Sequence, residues 1–77
     1  MAKYEIQRLP GSPFERGKIS RESRLIDWLN RQGLHSNVVI RLNGKILEDN
    51  FDLNYIPRPG DVVSVFDQPE GGVGKVI

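Results

Sequence analysis

One stretch of this chain carries helical periodicity, and it stands between two groups of strand-like segments. Leu25, Ile26, Trp28 and Leu29 recur at a spacing that gathers side chains on one side of a helix. Ser20 and Ser23 each offer a hydroxyl that can accept from an orphan backbone N–H at the helix start. Gly33 stands where a left-handed residue ends a helix, and Leu34 can close that cap with an apolar contact. The spacing predicts a helix over residues 21–32, and no other segment is long enough to make a second.

The flanking segments read as strands. Lys3 to Leu9 alternates, with Tyr4 and Ile6 on one face and Lys3, Glu5 and Gln7 on the other. Pro10-Gly11-Ser12-Pro13 stops it, and Phe14 to Ile19 is expected to return as the second strand of a hairpin. After the helix, Val38-Val39-Ile40-Arg41-Leu42 is rich in β-branched residues. Asn43-Gly44 predicts a type I′ turn, because both residues accept positive φ, and Lys45-Ile46-Leu47 follows as a short return strand. Glu48 to Asn54 is polar around Phe51 and Leu53, an irregular connection with two apolar anchors. Pro57-Arg58-Pro59-Gly60-Asp61 is a rigid turn into Val62-Val63-Ser64-Val65-Phe66, whose apolar run predicts a central strand. Residues 71–77 read as a flexible, Gly-rich exit after a folded unit spanning 1–70.

Composition narrows what such a chain can do. Its 77 residues suit one small domain, and without cysteine a hydrophobic core must hold it together. Apolar residues make up 38% and charged residues 27%, too apolar a balance for a disordered tail. No apolar run approaches a membrane span, and the first residues do not form a secretory signal. Residues 1–35 hold seven basic and four acidic side chains, and residues 36–77 hold four and six. Arg16, Lys18, Arg21, Arg24 and Arg31 are interleaved with Glu15, Glu22 and Asp27, which argues for a mixed solvated surface and against nucleic acid as a partner.

Catalytic and cofactor chemistry finds no foothold. Gly71-Gly72-Val73-Gly74-Lys75 suggests a phosphate loop, but Pro69 takes the place of its first glycine and Val76 that of its hydroxyl residue. His35 has no second His or Cys to share a transition metal. Glu48, Asp49 and Asp52 miss calcium-loop spacing, since Phe51 falls where an oxygen ligand belongs. The serines have no base beside them. The expectation is a chain with no catalytic residue, no metal and no cofactor.

Hairpin, helix, hairpin and final strand together predict an α+β fold of the β-grasp type. It has one mixed four- to five-stranded sheet with the helix on one face. From residue 14 to 72 the chain resembles the ubiquitin-like superfamily, and within it the thiamine and molybdopterin sulfur carriers. The residues that carry the likeness are Val39-Ile40-Arg41-Leu42-Asn43-Gly44-Lys45, Pro59-Gly60-Asp61-Val62-Val63-Ser64-Val65-Phe66 and Gly71-Gly72. The resemblance implies a carrier whose terminal glycine carboxylate is adenylated and then held as a thiocarboxylate. Here Gly72 is followed by Val73, so that chemistry requires trimming first.

The chain also resembles the opening segment of phage and prophage tail-tip, or host-specificity, proteins. That likeness rests on Asp27-Trp28-Leu29, Asn43-Gly44, Gly60-Asp61-Val62-Val63 and Pro69-Glu70-Gly71-Gly72-Val73-Gly74-Lys75-Val76-Ile77. It implies the start of a longer chain, docking to other tail components in the cytoplasm during synthesis and then in the virion. The leading expectation is this non-enzymatic docking module, monomeric as an isolated domain. The competing expectation is a sulfur-carrier precursor with Gly71 and Gly72 at its working end. Ubiquitin-like domains often bind through the open sheet face, so the resemblance makes Val39, Arg41, Lys45 and Leu47 candidate contacts. Trp28 joins them as a candidate anchor, since Trp is enriched at binding hot spots.

Overall fold

A computed structural model describes residues 1–34, 37–67 and 75–76. Along the chain run β1 (Ala2–Gln7), β2 (Glu15–Ile19), α1 (Leu25–Arg31), β3 (Asn37–Leu42), β4 (Lys45–Ile46), β5 (Val62–Asp67) and β6 (Lys75–Val76). The sheet order is β2-β1-β5-β3-β4, with β6 paired to β3 beside that path. β1 and β5 run parallel, while β1–β2, β3–β5, β3–β4 and β3–β6 are antiparallel. This is the β-grasp expected from the order of elements, and β5 holds the central position predicted for it.

Period-two alternation sorts the strand residues onto two faces. Ala2 and Ile6 of β1, Ile19 of β2, Val38 and Ile40 of β3, and Val63 and Val65 of β5 are buried against Leu25, Trp28 and Leu29 of α1. Tyr4 joins them from β1, its ring centroid 5.0 Å from that of Trp28. Leu34, Leu42, Leu47, Phe51 and Leu53 pack around the margin. Each fully buried Leu, Ile or Val contributes about 1.5–3 kcal/mol, so this single layer between helix and sheet dominates stability. β5 is central, with Val63 and Val65 buried under the helix and Val62 38% exposed on the other face.

The helix departs from expectation at its start. It begins at Leu25 instead of residue 21, and neither Ser20 nor Ser23 caps it with a side chain. Ser20 instead closes a turn, its carbonyl accepting from Ser23 N–H at 3.2 Å. The first helical N–H groups go to the irregular connection, with Leu25 donating to the Tyr55 carbonyl at 2.8 Å and Ile26 to that of Leu53 at 2.9 Å. Tertiary backbone thus satisfies the orphan donors that local hydroxyls were expected to serve. The end follows the sequence, with Gly33 at φ 63° just past the last turn.

Both turn residues Asn43 and Gly44 have positive φ, 53° and 86°, as a type I′ hairpin demands. The Asn43 side chain then ties this hairpin to the start of β5. Its Nδ2 donates to Asp61 Oδ1 at 3.0 Å and its Oδ1 accepts from Val62 N–H at 2.8 Å. Asp61 Oδ2 also accepts from the Tyr55 hydroxyl at 2.6 Å and from Arg58 N–H at 2.9 Å. One carboxylate therefore clasps the β3–β4 turn, the irregular connection and the rigid proline turn together.

Lys75–Val76, expected in a departing tail, forms a strand against β3. Gly71 and Gly72, the candidate carrier terminus, lie outside the described residues, as do His35 and the rest of the Gly-rich segment.

Candidate functional site

Among the described residues, the face of the sheet opposite α1 is covered by no helix. Register places Lys3, Glu5 and Gln7 of β1 there, with Arg16 and Lys18 of β2, Val62, Ser64 and Phe66 of β5, and Val39 and Arg41 of β3. Phe14, just before β2, meets Phe66 edge-on with ring centroids 5.7 Å apart. The Arg16 guanidinium lies 5.6 Å from the Phe14 ring centre, and that of Arg41 lies 5.4 Å from the Phe66 ring centre. The result is a row of cation, ring, ring, cation across the strands, held by cation–π and edge-to-face contact.

Glu5 is the carboxylate set within this face, and it has two partners. Ser64 Oγ donates to its Oε1 at 2.9 Å, and Arg16 Nε lies 3.7 Å from its Oε2. Lys3 and Lys18 face each other across the β1–β2 ladder. The face is therefore basic with an aromatic centre. The linear sequence concealed this, because charges that alternate along the chain sort to one side when the strand is pleated.

The five candidate contacts divide. Val39 and Arg41 stand on the open face. Lys45 pairs with Leu42, and so takes the opposite side of the pleat, while Leu47 packs against the core margin. Their expected place on the open face is corrected: β4 has two residues, and a one-residue shift reverses the side. Ile46, opposite Arg41 and 59% exposed, occupies it instead. Trp28 is only 3% exposed and packs against Tyr4 with the rings tilted by 54°, so it is a core residue and not a surface anchor. The sequence leaves Phe66 open between this surface and the core, and register puts it on the open face; Ile46 was missed, and strand parity from the Asn-Gly turn was the signal that could have found it.

A shallow apolar depression of about 290 Å³ lies beside β4, lined by Leu42, Ile46, Leu47 and Phe51 with Lys45, Glu48 and Asn50. It brings together no nucleophile and base. Among the described residues, no three His, Cys, Asp or Glu side chains cluster to hold a metal. The groups with displaced pKa values have structural explanations. Hydrogen bonds from Asn43, Tyr55 and the Arg58 backbone hold the Asp61 carboxyl below its ordinary range, and the bond to Asp61 raises the Tyr55 hydroxyl. Asp27 is lowered and Arg24 raised by their mutual hydrogen bond on the surface of α1. No helix among the described residues is long and apolar enough to cross a membrane.

The ThiS family model matches residues 7–72, which start at the last residue of β1 and take in β2 to β5, the helix and the Gly-Gly pair. The chain belongs to the ThiS family. ThiS proteins share the ubiquitin-like β-grasp fold of sulfur carriers, and they are substrates of other enzymes instead of enzymes themselves. No curated protein and no solved structure matches the chain.

Membership in the ThiS family overturns the tail-tip reading, and with it the expected tail partners and the virion location. The structure shows why that likeness misled. Trp28-Leu29 fills the core, Asn43-Gly44 makes the hairpin turn, and Gly60-Asp61 supports the clasp on Asn43 and Tyr55. These are devices of the fold, available to any chain that adopts it, and they say nothing about a phage.

Proposed function

We propose that this chain is the precursor of a sulfur carrier whose working group is the carboxylate of Gly72. The observation that carries the reading is that the ThiS family match runs through Gly71 and ends on Gly72. A peptidase must first act, since Gly72 is joined to Val73. Water adds to the Gly72 carbonyl carbon, the peptide C–N bond breaks, and Val73 leaves as an amine. The freed carboxylate then attacks the α-phosphorus of ATP on an activating enzyme, expelling pyrophosphate and forming an acyl adenylate. The outer sulfur of a donor's persulfide attacks the acyl carbon and displaces AMP to give an acyl disulfide. A reducing thiol then attacks the donor's own sulfur, and the S–S bond breaks. The donor leaves as a mixed disulfide with that thiol, and a thiocarboxylate is freed for transfer, the chemistry of thiamine-type cofactor synthesis in the cytoplasm. Each step takes place in a partner's active site, and this chain supplies a threadable, side-chain-free end.

The open face is the docking surface in this reading. Arg41 and Arg16 flank the Phe14–Phe66 pair, with Val39 and Ile46 beside them. Such a surface suits an activating enzyme that presents apolar side chains ringed by carboxylates.

Incubation of the chain ending at Gly72 with a ThiS-activating enzyme, ATP, a persulfide sulfur source and a thiol reductant, followed by intact mass, tests the carrier chemistry. The expected product carries one sulfur in place of one carboxylate oxygen. An unchanged mass, with no pyrophosphate released, overturns the proposal.

A further inference from the structure

Asn43-Gly44 makes the β3–β4 turn, and it is also a pair in which an asparagine side chain lies open to attack by the next backbone nitrogen. Glycine leaves that nitrogen unhindered by a side chain. Gly44 is exposed, nothing lies within 4 Å of where its Cβ would stand, and its N–H donates to no described carbonyl. The nucleophile is free.

The electrophile is held. Both polar atoms of the Asn43 carboxamide are engaged, Nδ2 by Asp61 Oδ1 at 3.0 Å and Oδ1 by Val62 N–H at 2.8 Å. Asp61 is itself fixed, because its other oxygen accepts from the Tyr55 hydroxyl and from Arg58 N–H. To react, the carboxamide must leave both partners and bring its carbon onto the Gly44 nitrogen.

We propose that Asn43 is a self-modification site, kept unreacted by the Asp61 clasp and released when the clasp opens. In the open turn the Gly44 nitrogen loses its proton to water and bonds to Asn43 Cγ. The bond from Cγ to Nδ2 breaks, and that nitrogen takes a proton from water and leaves as ammonia. Water then adds to either carbonyl carbon of the five-membered imide, giving aspartate or its β-linked isomer. Neither product closes the clasp again. Aspartate sets a second carboxylate against Asp61 Oδ1, where like charges repel. The β-linked isomer lengthens the backbone of a two-residue turn by one carbon. One opening of the turn is thereby recorded irreversibly.

The full-length chain, folded in mildly alkaline buffer and unfolded in urea, is compared with folded Asp61→Ala and Val62→Pro. Each variant removes one partner of the carboxamide, and proline is tolerated at the first residue of a strand. Digestion and mass spectrometry of the fragment containing Asn43 read the change from amide to acid and separate the two isomers. The folded natural chain is expected to react about tenfold more slowly than the unfolded one, the ratio that about 1.4 kcal/mol of hold gives. Both variants are expected to react about fivefold faster than the folded natural chain. Equal rates in the folded and unfolded natural chain overturn the proposal, as does the natural rate in a variant whose circular dichroism shows it folded. Asn43→Asp makes one product directly and is expected to be less stable to urea than the natural chain. Adding Asp61→Asn returns one amide and one carboxylate to the pair, and is expected to recover at least half of that loss. A double variant no more stable than Asn43→Asp alone overturns the one-way step, and this comparison holds even where Asp61→Ala or Val62→Pro fails to fold.

Discussion

Single residues set the two tightest requirements of this fold. Asp61 accepts hydrogen bonds from Asn43, Tyr55 and the Arg58 backbone, and they lower its pKa. A carboxyl lowered on folding stabilises the native state at pH above its unfolded value of about 3.9, and that stability is lost as pH falls through the lower folded value. Urea denaturation at a series of pH values is expected to show a decline below about pH 4 that Asp61→Asn flattens. At neutral pH the same substitution is expected to cost about 1–3 kcal/mol. A variant with the natural acid limb would mean that other carboxylates govern it. Gly17 is the second requirement, since a Cβ there would lie 2.6 Å from the Tyr4 ring, itself packed on Trp28. Gly17→Ala is expected to lose about 1–3 kcal/mol in chemical denaturation. Adding Tyr4→Ala should make that loss non-additive, and simple additivity would show that the ring had room to move.

At the level of elements, the β1–β2 hairpin mixes support with repulsion. Glu5 faces Arg16, a favourable cross-strand pair, while Lys3 faces Lys18. Like charges directly opposite each other destabilise a ladder. Lys18→Glu is therefore expected to raise stability by a few tenths of a kcal/mol, an effect that shrinks as salt is added. A fall in thermal midpoint at low salt would contradict this. Retaining an unfavourable pair on the open face agrees with a surface kept basic for docking. The helix teaches a different lesson. Its apolar spacing was legible, and so was its glycine end, but its start was not. A hydroxyl near the first turn is a local signal, whereas the carbonyls of Leu53 and Tyr55 that take its N–H groups come from more than twenty-five residues away.

For the whole molecule, the proposed docking face predicts a separation between folding and recognition. Arg41 is exposed and stands at one end of the cation–ring row. Arg41→Glu is expected to leave the circular dichroism spectrum and the unfolding midpoint nearly unchanged. It should weaken binding to the activating enzyme about tenfold, or about 1.4 kcal/mol, by isothermal titration at low salt. Undiminished affinity would move the docking surface elsewhere.

The sequence by itself determined the class of fold, the turn at Asn43-Gly44, the centrality of β5 and the absence of a catalytic pair to propose. Each of these follows from local periodicity, backbone preference or residue type, which neighbours along the chain suffice to express. Gly71-Gly72 also marks the proposed carrier end, and the ThiS match supports a carrier over a tail-tip domain. Tertiary structure alone decided that Trp28 belongs to the core, that Leu47 turns inward while Ile46 turns out, and that basic residues gather on one face. It alone returned Lys75 and Val76 to the sheet. These outcomes depend on register and on which edge a strand finds, and both are set by contacts between residues far apart in the chain.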